Sequence, residues 1–200
     1  MLQAVIFDLG GVLINVDPER TVQHLAQATG QPLAACANVL ADPLLRREFQ
    51  LGQISSQDMV RHLSAKLEGG LHFAQFVDAW NRMVEENRQT TWVLERLRAR
   101  YTLLVLTNTN PLHDAYIRET WPVFQHVHHW IASCQVGYCK PETQIFQLAL
   151  RRAQVPAHAA VFIDDTKEHT DAARRLGIQA IHFAPGLSLE KELAAAGLHV

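Results

Sequence analysis

Apolar residues recur along this chain with two different periods, and the change of period divides it. The opening stretch Leu2-Gln3-Ala4-Val5-Ile6-Phe7 is an apolar run that ends on Asp8 and is broken at once by Gly10 and Gly11. A short apolar run bounded by glycine predicts a buried central strand that delivers Asp8 to the rim of a sheet. From Asp17 to about Arg88 the apolar positions instead recur at helical spacing. Asp17 is placed to cap a helix with Pro18 in its first turn, Val22, Leu25 and Ala26 on one face, and Gly30 closing it. Further helices are predicted over 33–40 and 44–51, the latter stopped by Gly52. Another starts at Ser55, with Asp58 as its capping-box partner, and runs through Met59, Val60 and Leu63 towards Leu67. Gly69-Gly70 breaks the chain again, and Phe73, Phe76, Val77 and Trp80 mark a helix reaching about Glu86. These aromatic positions are read as the packing faces of a small helical bundle.

After Arg88 helices and apolar runs alternate. A helix through Trp92, Val93, Leu94 and Leu97 precedes a strand at 101–107, and a helix at 112–119 precedes a short strand at 129–133. Pro141 opens a helix with Ile145, Phe146 and Leu148 turned inward, followed by a strand at 159–164. A helix at 167–176, stopped by Gly177, a strand at 178–183 and a helix at 189–196 complete the pattern. Such alternation predicts an α/β fold built on a Rossmann-like, doubly wound parallel sheet. Residues 1–15 and 89–200 are then the core domain, and 16–88 an inserted α-helical cap.

Composition narrows the partners. With 48% apolar residues in 200, the chain buries a proper core, and a net charge of -2 provides no basic field for a nucleic acid backbone. The N-terminus has no cationic leader, Asp8 interrupts its apolar run, and no stretch approaches the ~18 apolar residues of a membrane span. A cytoplasmic protein without a membrane partner is expected, and nothing in the pattern separates a monomer from a homodimer. Cys36, Cys134 and Cys139 are odd in number and form no Cys-x-x-Cys pair, so they are read as incidental thiols.

The chemistry lies at the predicted strand ends: Asp8, Thr107, Lys140 before Pro141, and the pair Asp164-Asp165. A parallel sheet sets all its strand C-termini along one edge, where these residues can meet. A carboxylate nucleophile, a hydroxyl, a lysine and a second acidic cluster are the parts of phosphoryl transfer through an aspartyl-phosphate. Asp8 is the expected nucleophile, and Asp8 with Asp164 suits a hard cation such as Mg²⁺, which takes oxygen ligands. Lys140 would offset the repulsion between anionic nucleophile and anionic substrate. Thr107, with Asn108 and the backbone near Gly11, would hold the phosphoryl oxygens.

Four fragments in order carry a family resemblance: Phe7-Asp8-Leu9-Gly10-Gly11-Val12; Val105-Leu106-Thr107-Asn108; Gly137-Tyr138-Cys139-Lys140-Pro141-Glu142 with Ile145-Phe146; and Val161-Phe162-Ile163-Asp164-Asp165. Together with the helical insertion they make the chain similar to haloacid dehalogenase-like hydrolases with a helical cap after the first motif. Within that superfamily, Phe7-Asp8-Leu9-Gly10 with Leu106-Thr107-Asn108-Thr109-Asn110 resembles a bacterial sugar-phosphatase group that includes the α-D-glucose-1-phosphate phosphatase type. The resemblance implies a Mg²⁺-dependent phosphomonoesterase acting on a small phosphorylated metabolite, with a sugar phosphate favoured. It also implies that Gly10 contributes its backbone carbonyl to the metal.

Gly10 is the main departure, because phosphatases of this family usually carry a second Asp there as general acid and base. Such a group contributes about 10²- to 10⁴-fold. Asp17 is the candidate replacement, set against its reading as a helix cap. Gly10 also leaves open a metal-independent 2-haloacid dehalogenase-type hydrolase and a weakly active or non-catalytic binding or regulatory module. The paired acids Asp164-Asp165 favour the phosphatase, since the dehalogenase branch typically has a Ser-x-Asn pattern in that motif. His169, after the second acidic cluster, can orient that cluster or be an ordinary first-turn helix residue, and the second reading is favoured. His126, His128 and His129 are read as surface and edge residues, and Cys139 as an inert thiol. Arg46 and Arg47 lie on a cap helix, where one can reach a substrate phosphate or sugar or both can simply be solvated. Trp80 is read as bundle core.

Overall fold

The computed structural model describes residues 1–67, 70–184 and 186–199. Gly69, half of the break expected at Gly69-Gly70, lies outside the described residues. In chain order, strand β1 (Ala4–Phe7) leads through a turn to β2 (Ile14–Val16) and then to five helices. These are α1 (Pro18–Thr29), α2 (Leu33–Leu40), α3 (Pro43–Gln50), α4 (Ser56–Ser64) and α5 (Phe73–Asn81). Strand β3 (Val84–Glu86), helix α6 (Arg88–Leu97), β4 (Thr102–Thr107), α7 (Pro111–Thr120), β5 (His129–Ala132) and the single turn α8 (Ser133–Val136) follow. The chain ends with α9 (Thr143–Ala153), β6 (Ala160–Asp164), α10 (Lys167–Arg175), β7 (Gln179–His182) and α11 (Leu189–Ala195).

Five strands form a parallel sheet in the order β5-β4-β1-β6-β7, with β1 at the centre. Its central strands are buried on both faces, which is why they read as unbroken apolar runs. Val5, Phe7, Val105 and Ile163 point to one side with Val93, Leu94 and Leu97 of α6 and Leu193 of α11. Ala4, Ile6, Leu104 and Phe162 point to the other with Ile145 and Phe146 of α9. A third cluster, including Leu25, Phe49, Met59, Leu63, Phe76 and Trp80, gathers α1 to α5. The predicted caps are present: the Asp17 side chain accepts the Glu19 N–H, and Ser55 and Asp58 make the reciprocal capping box. Gly30 ends α1 at φ 68, a left-handed conformation that suits glycine.

Two local expectations are corrected. The helix expected to continue to about Glu86 stops at Asn81, because 84–86 pair antiparallel with 14–16 as a two-stranded ribbon. That ribbon joins segments some 70 residues apart in sequence, so no local period announces it. Pro141 does not open α9: the Glu142 N–H donates to the Cys139 carbonyl at 2.8 Å, closing a turn around Lys140 and Pro141, and the helix starts at Thr143. Among the described residues no helix is long and apolar enough to cross a membrane.

Candidate active site

The register of the sheet brings the strand-end residues together. Phe7 is level with Ile163, and the Asp8 N–H donates to the Ile163 carbonyl at 2.8 Å, so Asp8 and Asp164 leave adjacent strands side by side. Lys140 arrives from the turn before α9, and its fully buried Nζ lies 2.7 Å from Asp8 Oδ1 and 2.7 Å from Asp164 Oδ2. Two anions and one cation thus share a buried site, each close enough for a charge-assisted hydrogen bond.

The lysine is held from behind. The Asn108 side chain accepts the Lys140 N–H at 2.7 Å and donates to the Lys140 carbonyl at 2.9 Å. Asn108, expected to hold phosphate, has its carboxamide engaged in fixing the lysine backbone. Thr107, at the end of β4, is buried, and its hydroxyl has no partner among the described residues.

The two carboxylates differ in their other partners. Asp8 Oδ1 also accepts the Leu9 N–H at 2.6 Å, while its Oδ2 has no partner among the described residues. Asp164 additionally accepts the Thr166 N–H at 2.8 Å and the His169 Nδ1–H at 3.0 and 3.1 Å from its two oxygens. Burial pushes the Asp8 carboxyl up to about 7, against the pull of Lys140. Burial acts on Asp164 in the same sense, but the His169 hydrogen bond and the Lys140 charge prevail and hold it at about 2. Lys140 is itself raised: burial disfavours its charge, and the two carboxylates more than offset that.

His169 has the place expected of the less favoured of its two readings, against the acid. It does stand in the first turn of α10, but its ring faces Asp164. The only available signal was its place in the first turn of the helix that follows the acidic strand end, and that signal fits many solvated histidines.

Among the described residues, one group of three metal-binding types is close enough to share an ion: Asp8, Asp164 and His169, with one ligand atom from each within 4.8 Å of the others. The two carboxylates are hard oxygen donors of the kind Mg²⁺ takes. The residues present therefore fit that ion. His169 Nδ1 bonds to both oxygens of Asp164.

The glycines fit around this centre for different reasons. Gly11 has φ 72, and a Cβ there would come within 2.1 Å of Asp165 Oδ2, so the turn after Asp8 passes directly against the second acid of the pair. At Gly10 a Cβ would meet only Val16 Cγ2, at 3.4 Å. A side chain is absent there although space for one exists. The Asp17 carboxylate is engaged by the Glu19 N–H at 3.1 Å and by Arg20 at 3.2 Å. It is not among the groups that line the neighbouring cavity.

That cavity, about 250 Å³, opens above the strand ends. Leu9, Gly10, Thr107 and Asn108 form its floor, Arg46 and Gln50 of α3 and Trp80 of α5 reach in from the helical insertion, and Asn110 and His113 stand at its side. Trp80 is both bundle core and cavity wall. Its indole N–H donates to Asn110 Oδ1 at 3.2 Å, and its carbonyl accepts His113 Nε2–H at 2.9 Å. Burial holds the His113 imidazole down at about 4, so it stays neutral. Further bonds fasten α3 to the core: Arg47 pairs with Glu142 at 3.0 Å, and Ser133 Oγ–H donates to the Gln50 carbonyl at 2.6 Å.

The remaining candidates lie elsewhere. His128 Nδ1 accepts the Leu103 N–H at 3.0 Å, and Arg98 lies 3.3 Å from His126 Nδ1. Cys36, Cys134 and Cys139 are free thiols. Burial raises Cys139 and pushes Cys134 up to about 12, which removes both as ready nucleophiles.

Known proteins share this architecture. A family model described as haloacid dehalogenase-like hydrolase matches residues 2–177. The D-ribitol-5-phosphate phosphatase of Bacteroides thetaiotaomicron is 22% identical over 201 residues, covering 96% of this chain and 97% of that protein. The phosphorylated carbohydrates phosphatase of Thermotoga maritima is 23% identical over 203 residues, covering 98% and 92%. The fold matches that of a haloacid dehalogenase-family enzyme from Bacteroides thetaiotaomicron, solved with magnesium and inorganic phosphate, at a TM-score of 0.86. Identity is 22%, with 96% of this chain and 98% of that chain covered.

Proposed function

We propose, for a chain that belongs to the haloacid dehalogenase-like hydrolase family, a Mg²⁺-dependent phosphomonoesterase that acts on a small phosphorylated carbohydrate, with residues 16–88 as a cap over a core of 1–15 and 89–200. The observation that carries this reading is the buried Asp8–Lys140–Asp164 array, in which one Asp8 oxygen has no partner among the described residues, next to a cavity bordered by Leu9, Gly10 and Thr107. Three hydrogen-bond donors hold Asp164 as a permanent anion, whereas Asp8 keeps Oδ2 free to attack. Bound Mg²⁺, held by Asp8, Asp164 and the Gly10 carbonyl, supplies positive charge that lowers the repulsion between carboxylate and phosphate.

Asp8 Oδ2 bonds to phosphorus as the ester oxygen departs with its electron pair. Lys140 keeps the site from accumulating negative charge, and the Thr107 hydroxyl with nearby N–H groups holds the phosphoryl oxygens. Water then attacks the phosphorus of the aspartyl-phosphate, releasing inorganic phosphate and returning the Asp8 carboxylate. Position 10 carries no acid to protonate the leaving oxygen, so turnover favours leaving groups that depart as weak bases. The named substrates of the relatives, a ribitol phosphate and phosphorylated carbohydrates, support the carbohydrate class.

A panel of phosphate monoesters assayed with Mg²⁺ and with chelator, beside Asp8→Asn, tests the reading. Wild type should release phosphate only with the metal, and Asp8→Asn should release none. Turnover that persists in the variant overturns the nucleophile assignment, and turnover that ignores chelator points to the metal-independent branch.

A further inference from the structure

Arg46 stands apart from the other arginines of the helical insertion. Arg20, Arg47, Arg61, Arg82 and Arg88 each pair with a carboxylate, and Arg46 pairs with none among the described residues. It also lines the cavity bordered by Gly10 and Thr107, and among the described residues none of the others lining that cavity is acidic. Gln50 follows one helical turn later on the same wall.

The helix that carries Arg46 is tightly located. Leu45 and Phe49 bury its other face in the third hydrophobic cluster, Asp42 caps its start, Arg47 is tied to Glu142, and the Gln50 carbonyl is tied to Ser133. Arg46 is therefore an exposed cation, unpaired among the described residues, on a pinned element that borders an otherwise uncharged chamber. A guanidinium in this setting matches an oxyanion, which it can bind with two parallel hydrogen bonds. The transferring phosphoryl group already has Lys140, Thr107 and the metal-binding carboxylate pair, and of these Thr107 lines the chamber together with Arg46.

We infer that Arg46, assisted by Gln50, is the specificity-determining residue of this site and binds a second anionic group, a carboxylate or a second phosphate, on the leaving-group side of the substrate. The preferred substrates are then phosphorylated sugar acids or sugar bisphosphates rather than esters of neutral sugars or polyols. This inference rests on the phosphomonoesterase reading above.

Matched pairs of esters test it: 6-phosphogluconate against glucitol 6-phosphate, which differ at the carboxylate, and fructose 1,6-bisphosphate against fructose 6-phosphate, which differ by a phosphate. Wild type should show the lower KM for the anionic member of at least one pair, and the pair that responds identifies the anion. Arg46→Ala should raise KM for that member at least about 10-fold more than for its neutral counterpart, with kcat changed far less, and Arg46→Lys should restore part of the difference. Equal losses within both pairs, or a wild-type preference for the neutral members, overturn the inference. Calorimetry of the same esters with Asp8→Asn, with and without Arg46→Ala, reads binding without turnover. A protein that discriminates there but hydrolyses nothing as wild type keeps the Arg46 assignment and loses the phosphatase reading; equal binding within both pairs removes the Arg46 assignment.

Discussion

The ends of β1 and β6 are neighbours in the sheet, each carries a buried aspartate, and each touches the same ammonium at 2.7 Å. They nevertheless titrate in opposite directions, Asp8 up to about 7 and Asp164 down to about 2. The difference lies in what else reaches them. Asp164 receives His169 and the Thr166 N–H from the start of the next helix, while Asp8, among the described residues, receives only the Leu9 N–H besides the lysine. One strand end is held as an anion by several donors, and the other keeps an oxygen with no partner among the described residues.

Removing the shared cation breaks the comparison most severely. Lys140→Met leaves two carboxylates facing each other in a buried site, and the variant should lose about 3–5 kcal/mol of stability in urea unfolding as well as all turnover. Unchanged stability would mean that the two carboxylates are not held together by the lysine. Gly10→Asp should enlarge the contrast by giving the β1 end the proton donor it lacks. Position 10 has room for a side chain, and kcat for alkyl phosphates should rise about 10²-fold, with a smaller gain for aryl phosphates. A fall in kcat for both would show that the acid is supplied from elsewhere.

His169→Ala should make the two ends more alike. Loss of its hydrogen bond to Asp164 should weaken Mg²⁺ binding about 10-fold, read by calorimetry rather than by rate. Unaltered affinity would leave His169 a helix residue that merely rests on the acid.

The smallest effect is on pH dependence without metal. The folded Asp8 carboxyl lies above its usual 3.8, so between about pH 4 and 7 the folded protein keeps a proton that the unfolded chain has released. Its stabilising contribution is full below pH 4 and is lost as pH rises through about 7. Asp164 is the reverse, contributing above pH 4 and losing that contribution as pH falls towards 2. Urea midpoints of wild type minus those of Asp8→Asn should therefore decline from pH 4 to 7 and level off above; a flat difference would place the Asp8 pKa at its ordinary value.

Much of this was legible beforehand, for identifiable reasons. Strands buried on both faces are apolar at every position, so β1, β4 and β6 stood out with their terminal Asp8, Thr107 and Asp164. Helix caps are local chemistry, and Asp17 and Ser55 with Asp58 did what their spacing suggested. The β2–β3 ribbon was missed because its pairing is remote in sequence. Pro141 misled because proline suits both a first helical turn and the tight turn that it occupies here. His169 and Arg46 carried no local mark that separates them from solvated neighbours; only their partners, present for one and absent for the other, do so.

The sequence by itself determined which residues stand at strand ends, because burial pattern and turn residues act over a few positions. It also settled that position 10 offers no side chain to the reaction. Only the tertiary structure decided that Asp8, Lys140 and Asp164 converge, that His169 makes one acid unlike the other, and that Arg46 borders the cavity with no partner among the described residues. Those outcomes depend on distances between elements far apart in the chain, and the electrostatics of a buried site are set by such distances.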